Sequence, residues 1–176
     1  VLKIVFFTFY YPPDLCAGSF RAVALVHALS KELNSNDELH VITTHPNRYA
    51  SYKVAAKDIE QNGKITIYRI KVPKHQSSMF FQVRSFISYS FSAYKLCKQI
   101  SPIFIIGTTS RLMTGILTGI SAYKLKCRYF IDLRDIFSET ISEILSCKNK
   151  ILGNISKTIF SYLEKKLLNN ASGVNV

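Results

Sequence analysis

The sequence predicts an α/β protein built on a doubly wound, mostly parallel sheet. Three observations carry that expectation. Short apolar runs rich in Ile, Val and Phe alternate along the chain with longer amphipathic stretches, the pattern of strand, helix, strand. Turn residues mark the joints, at Pro12-Pro13, Asn34 to Asp37, Pro73 and Pro102. A chain of 176 residues with 48% hydrophobic and 19% charged residues can bury one full core, so a single domain is expected.

The first strand is expected over residues 3–8, KIVFFT, and the loop YYPPDLCAG follows it. A helix is expected over residues 19–33, capped by Ser19, with Val23, Val26, His27, Leu29 and Leu33 forming its stripe. Residues 34–37 turn the chain into a second strand at 39–43. The loop 44–52 follows, and the polar residues 53–63 are expected as loop or a short helix. A third strand, 64–71, places Ile65, Ile67 and Arg69 on one side, and Pro73 ends it. Phe80, Val83, Ile87, Phe91, Tyr94 and Cys97 recur at threes and fours, giving a helix over 78–101 that Pro102 closes. Met79, Phe86, Tyr89 and Leu96 widen its apolar arc. The remaining order is strand 103–106, loop 107–110, helix 112–124, strand 128–132, loop 133–135 continuing through 136–143, helix 151–169 and strand 173–176. Alternation of this kind gives parallel strands with right-handed crossovers.

Composition excludes several classes. The four cysteines, Cys16, Cys97, Cys127 and Cys147, form no C-x-x-C pair, and the four histidines are scattered, so no metal site is expected. No run reaches the roughly 18 uninterrupted apolar residues of a membrane span. No signal-peptide pattern is visible. The chain starts at Val1 and stops within an apolar segment, which suggests one piece of a longer protein.

The net charge of +12 is unevenly placed. Between Gln61 and Ile131 there is no Asp or Glu, while Lys64, Arg69, Lys71, Lys74, Arg84, Lys95, Lys98, Arg111, Lys124, Lys126 and Arg128 all fall there. Such a field attracts anions: nucleic acid, an anionic membrane face or a phosphorylated ligand.

In an open α/β sheet, ligands bind outside the carboxyl ends of the strands. The loops that gather there are residues 10–18, residues 107–111 (Gly-Thr-Thr-Ser-Arg), residues 132–135 (Asp-Leu-Arg-Asp) and THPNRY at 44–49. Gly18 lies beside the first helix, whose opening N–H groups and dipole suit an anion. Hydroxyls, guanidinium groups and carboxylates on one rim suit a polar, phosphorylated substrate. Each residue also has a structural reading. Asp14 and Ser19 can cap the first helix, residues 108–110 can cap the next, and Arg134 with Asp135 can form a surface pair. The first loop has no G-x-G-x-x-G, which argues against a nucleotide-dependent oxidoreductase. A nucleic-acid-binding domain is the other alternative, although no recognition signature such as that of an RRM is present.

YYPPDLCAGSFRAVALVHALSK resembles the opening of retaining glycosyltransferases of the GT-B fold, family 4 type. THPNRY resembles their second-strand loop. IIGTTS before a helix and YFIDLRDIFSETI are similar to their later loops, closest to the bacterial O-antigen and capsule branch that includes fucosamine transferases. The resemblance runs in order along nearly the whole chain. It implies one Rossmann-like half of a GT-B fold, the N-terminal acceptor side, with a separate C-terminal domain holding the donor. It implies no cofactor beyond a nucleotide sugar, a UDP-sugar, as co-substrate. The acceptor would be a polyprenyl-pyrophosphate-linked saccharide at the cytoplasmic face of the bacterial plasma membrane, and nucleic acid would not be a partner.

The resemblance also carries over residue roles. Gly18 and Ser19 would approach the donor phosphates. Tyr11, Asp14, Asn47, Arg48, Thr109, Arg111, Arg134 and Glu139 would line the acceptor side, and Asp135 is the catalytic candidate. Many relatives carry His-Asp where this chain has Arg134-Asp135, so no histidine role transfers. Phe137 and Ser138 stand where the branch has Trp and Pro. Phe80, Phe81, Arg84, Lys95 and Lys98 on the long helix would dock on anionic lipid.

Overall fold

A computed structural model describes residues 1–47, 54–73, 79–109, 112–134 and 150–176. Its elements in chain order are β1 (Lys3–Phe7), α1 (Ala17–Glu32), β2 (Glu38–Thr44), β3 (Ile59–Asn62), β4 (Ile65–Ile70), α2 (Met79–Ile100), β5 (Phe104–Thr108), α3 (Leu112–Leu125), β6 (Arg128–Asp132), α4 (Lys150–Asn169) and β7 (Gly173–Asn175). The seven strands lie in the order β3-β4-β2-β1-β5-β6-β7. All pairings are parallel except β3 with β4. The α/β class and the doubly wound sheet are therefore those the sequence predicted.

The strand order places a switch point between β1 and β5. From β1 the chain passes through α1 to β2 on one side, and from β4 it returns through α2 to β5 on the other. Right-handed crossovers in opposite directions put the helices on opposite faces. Strand alternation then builds two cores. Ile4, Phe6, Leu39, Val41, Ile67 and Ile106 pack against Ala22 and Val26 of α1. Val5, Phe7, Ile42, Ile105, Tyr129 and Ile131 pack with Phe86, Tyr89, Ala93 and Cys97 of α2, Leu117 and Ala122 of α3, and Leu167 of α4. A strand that contributes to both faces reads as a continuous apolar run, which is why KIVFF and FII are legible in the sequence.

Close approach of α3 to β5 depends on Gly107. A Cβ there would collide with the hydroxyl and Cβ of Thr118, a fully buried residue of α3. At Gly63, φ is 58°, a conformation that side-chain-bearing residues avoid.

Three expectations are corrected. Residues 53–63 are not loop or helix throughout, because Ile59–Asn62 forms the antiparallel edge strand β3, paired from Ile59↔Tyr68 to Asn62↔Ile65. The first helix begins at Ala17 rather than Ser19, so Gly18 lies inside it and not in the loop before it. Its N-cap is Cys16, extended at φ −149° and ψ 160°, with no side-chain cap hydrogen bond, and Ser19 lies inside the helix with no partner on its hydroxyl, so Ser19 does not cap it. Finally, Gly107 and Thr108 belong to β5, which ends two residues later than expected.

Candidate functional site at the carboxyl edge of the sheet

The loops after β1, β2, β5 and β6 converge on one edge, at the switch point. Hydrogen bonds between residues far apart in sequence hold them together. Thr44 at the end of β2 donates its hydroxyl to the Phe9 carbonyl at 2.7 Å, and Thr43 does the same at 3.3 Å. The Asn47 side-chain amide donates to Thr44 Oγ1 at 2.7 Å and to the His45 carbonyl at 2.8 Å. Its backbone N–H donates to the Asp14 carboxylate at 3.2 and 3.3 Å. Asp14 is buried and ties the first loop to the second. Both amide hydrogens of Asn47 are thus committed within the protein.

Arg69 braces the first loop from the neighbouring strand. One of its amino groups donates to the Pro12 carbonyl at 2.9 Å, and the other to Glu60 Oε2 at 2.9 Å and the Lys57 carbonyl at 3.2 Å. This buried guanidinium belongs to the basic stretch but faces inward. Tyr11 is buried in the core on the α1 side. Burial raises its phenol to about 12, with the Arg69 charge opposing that rise and Glu60 adding to it. From below, the fully buried Tyr89 hydroxyl sits 3.1 Å from the Thr8 carbonyl and 2.8 Å from that of Ile42.

On the other side of β1, Asp132 ends β6 with only 1% of its side chain exposed. Arg21 of α1 grips it, with Nη2 2.6 Å from Oδ1 and Nε 3.1 Å from Oδ2. Asn175 of β7 donates to Oδ1 at 2.8 Å. The hydrogen bonds to Asp132 raise the Arg21 guanidinium further above its ordinary value. This charge-assisted clip fixes the start of α1 against the end of β6. The Thr109 N–H donates to the Asp132 carbonyl at 2.9 Å, and Thr109 Oγ1 accepts from the Arg134 N–H at 2.9 Å. Thr109 therefore spaces the two loops from a buried position, while Arg134 is half-buried at the rim.

The first turn of α1, which has no side-chain cap bond from Cys16, lies on this edge, with Gly18 and Ser19 buried and no hydrogen-bond partner on Ser19 Oγ. The Ser19 N–H is taken by the Cys16 carbonyl at 2.9 Å, and the helix dipole makes the opening of the turn receptive to negative charge. Leu15 and Phe20, 49% and 60% exposed, flank it with apolar surface.

Of the residues singled out in the sequence, Tyr11, Asp14, Gly18, Ser19, Asn47, Thr109 and Arg134 belong to the loops and first turn on this edge. Arg48, Arg111, Asp135 and Glu139 lie outside the described residues. Arg84, Lys95 and Lys98 are exposed on α2 and Phe81 is half-buried, while the Phe80 side chain lies outside the description. Sequence reasoning missed Arg21, Asp132 and Asn175 as a unit. Arg21 and Asp132 are 111 residues apart, and no local pattern links them. Among the described residues there is no group of three His, Cys, Asp or Glu side chains able to hold a metal, and no helix long and apolar enough to cross a membrane.

No protein-family model matches the chain, and no curated protein matches it in sequence. Solved structures do match in fold. Sucrose-phosphate synthase from Thermosynechococcus elongatus aligns with 99% of this chain and 42% of its own, at 10% identity and a TM-score of 0.65. A ugt transferase from Siraitia grosvenorii, solved in complex with UDP, aligns over 82% of this chain and 31% of its own, at 10% identity and a TM-score of 0.50. The chain spans less than half the length of either. It has the Rossmann-like α/β fold found within these GT-B structures.

Proposed function

We propose that this chain is the N-terminal, acceptor-side domain of a retaining glycosyltransferase of the GT-B fold, family 4 type. The full protein would transfer a sugar from a UDP-sugar to a polyprenyl-pyrophosphate-linked saccharide, at the cytoplasmic face of the bacterial plasma membrane, in surface-polysaccharide synthesis. One observation carries the reading. The start of α1, which has no side-chain cap bond from Cys16, meets the described loop residues after β1, β2, β5 and β6 at the switch point of the sheet. The described parts of the motifs that resemble family 4 enzymes fall on α1 and on the loops and strand ends at this edge.

In this reading the rim is one wall of a cleft, and a second Rossmann-like domain supplies the other. The first turn of α1 offers N–H groups and a positive dipole end to the donor phosphates as the cleft closes. Gly18 keeps side-chain bulk away from that approach. Arg134 carries positive charge toward the reacting sugar, where charge separates as the donor bond breaks. The Arg21–Asp132 clip holds that loop and the start of α1 in register. Leu15 and Phe20 meet the opposing domain.

The test has two arms. The reading frame beyond Val176 should encode a second Rossmann-like domain, and a stop codon shortly after that residue would overturn the assignment. The full protein, incubated with radiolabelled UDP-sugars and bacterial membranes, should move label into the lipid-extractable fraction. Substituting Arg134→Ala should lower that rate by roughly one hundredfold, the scale for losing one charge-stabilising group. No transfer from any nucleotide sugar would overturn the reading.

A further inference from the structure

The outer seam between α2 and α3 is apolar where water should meet it. Phe91 is 75% exposed and Tyr123 86%, and Val83, Ile87, Met113 and Ile120 are exposed with them. Phe86, Ile87, Phe91 and Tyr94 of α2 face Met113, Ile116 and Ile120 of α3 across an open groove of about 280 Å³. A monomer rarely leaves so many large apolar side chains contiguous without a use. Arg84, Ile87, Phe91, Lys95 and Lys98 follow one another at intervals of three and four along one side of α2. Lys124 closes the groove at the end of α3, with its Nζ 5.2 Å from the Tyr94 ring centre. Neither helix contains an acidic residue.

We propose that this seam docks on an anionic phospholipid bilayer, with Ile87, Phe91 and Tyr123 entering the acyl region and Arg84, Lys95, Lys98 and Lys124 meeting the headgroups. Charge selects the occupant. Among the described residues of α2 and α3 the charges are all positive, which complements an anionic leaflet. A second copy would bring the same positive fringe against it and be repelled. Long basic side chains beside an apolar stripe can lie along the interface while their heads stay wet. The seam takes in Arg84, Lys95 and Lys98, which the sequence singled out, and adds Ile87, Phe91 and Tyr123. The inference deepens the glycosyltransferase reading and rests on it for the membrane-bound acceptor, yet it is measured separately.

The experiment is sedimentation of the full protein with vesicles of phosphatidylcholine containing about a third phosphatidylglycerol, a composition whose surface charge probes the basic fringe. Binding is expected to fall as salt rises and to be weak on phosphatidylcholine alone. Ile87→Ser with Phe91→Ser should weaken it by at least tenfold, about the effect of withholding one large side chain from the bilayer. Ile159→Ser with Tyr162→Ser, which removes equally exposed apolar groups of α4, should leave it unchanged. The chain contains no Trp, so Phe91→Trp adds a reporter. Its emission should shift to the blue and be quenched by brominated lipid only when vesicles are present. Undiminished binding by the Ile87/Phe91 variant would overturn the proposal. So would reporter emission that is already blue-shifted without vesicles, since that would mean protein covers the seam. Transfer to a water-soluble acceptor analogue keeps the two readings apart. A full, unsubstituted protein that transfers sugar without binding vesicles defeats only the docking, and one that binds vesicles without transferring sugar defeats only the enzyme.

Discussion

The carboxyl edge of the sheet and the α2–α3 seam are opposites in how they treat polarity. At the edge, groups that prefer water are buried and for the most part answered, with Ser19 Oγ and Arg69 Nε the exceptions. Asp132 meets Arg21 and Asn175, Asp14 meets the Asn47 N–H, and Thr44 meets both Phe9 and Asn47. At the seam, groups that prefer to be buried are left in water, among them Phe91 and Tyr123. The difference separates two kinds of constraint. Edge residues hold the fold in one arrangement and should be costly to change. Seam residues contribute little to folding, so their apolar exposure needs a reason outside the folded domain.

Gly107 gives the largest expected effect, because it determines how near α3 lies to the sheet and so bears on both regions. Gly107→Ala forces a methyl group against Thr118, between a central strand and a buried helix face, and neither can retreat easily. It should destabilise the protein by about 3 kcal/mol, the upper part of the range for overpacking a tight core. Denaturant unfolding reads this directly, and a loss under about 1 kcal/mol would mean α3 floats freely over β5. Gly119→Ala is the milder control, since the near neighbour is the flexible end of Leu167.

Arg21→Ala comes next. It leaves the buried Asp132 carboxylate with Asn175 but no counter-charge. The cost of an abandoned buried charge is reduced here because Arg21 itself reaches water, so about 2 kcal/mol is expected. Arg21→Lys should recover only part of it, since one ammonium cannot reproduce the forked contact with both carboxylate oxygens. Equal stability of all three proteins would show that the clip is ornamental. Tyr89→Phe should cost about 1 kcal/mol. The Ile42 carbonyl keeps the Thr8 N–H at 3.2 Å, so chiefly the Thr8 carbonyl is left unanswered. At the seam the same unfolding measurement on Phe91→Ser should move by no more than about 0.5 kcal/mol. A large loss there would erase the contrast and make Phe91 a core residue.

The two regions are also unequally legible in the sequence. Strands β1, β5 and β6 contribute side chains to both cores, and their apolar runs announce them. Strand β3 does not announce itself, because Ile59, Glu60, Gln61 and Asn62 sit at the sheet edge with little to bury. Its usable signal is Asn62-Gly63, a hairpin pair, and Gly63 does take the left-handed φ. The start of α1 lies two residues before the expected one because Cys16 caps it with backbone geometry alone. Loop positions such as Asp14, Asn47 and Thr109 can be placed at the edge from strand order. Their partners cannot, because each bond joins segments distant in sequence. On α2, periodicity marks a wide apolar arc without dividing it. Packing alone distinguishes buried Phe86 and Tyr89 from exposed Ile87 and Phe91.

The smallest expected effect lies away from both regions, at the opposite end of β2, and it checks that edge and seam predictions are not general fragility. His40 is buried beside Tyr68, with Nε2 2.9 Å from Glu38 Oε2. Burial lowers its pKa below 6.5, and the Glu38 carboxylate only partly offsets this. The folded protein therefore prefers neutral His40. As pH falls below about 6.5, the unfolded chain takes up a proton that the folded one resists, so stability declines with acidity. Above that pH the residue contributes no slope. Glu60, Asp58 and Asp37 have lowered pKa values, so the stability they contribute is lost only as pH falls below about 4, outside this window. His40→Gln should thus flatten the fall in unfolding midpoint between pH 7.5 and pH 5.5, with the other histidines common to both proteins. Parallel midpoint curves for the two would show that His40 is as easily protonated folded as unfolded, and would detach it from the acid sensitivity of the sheet.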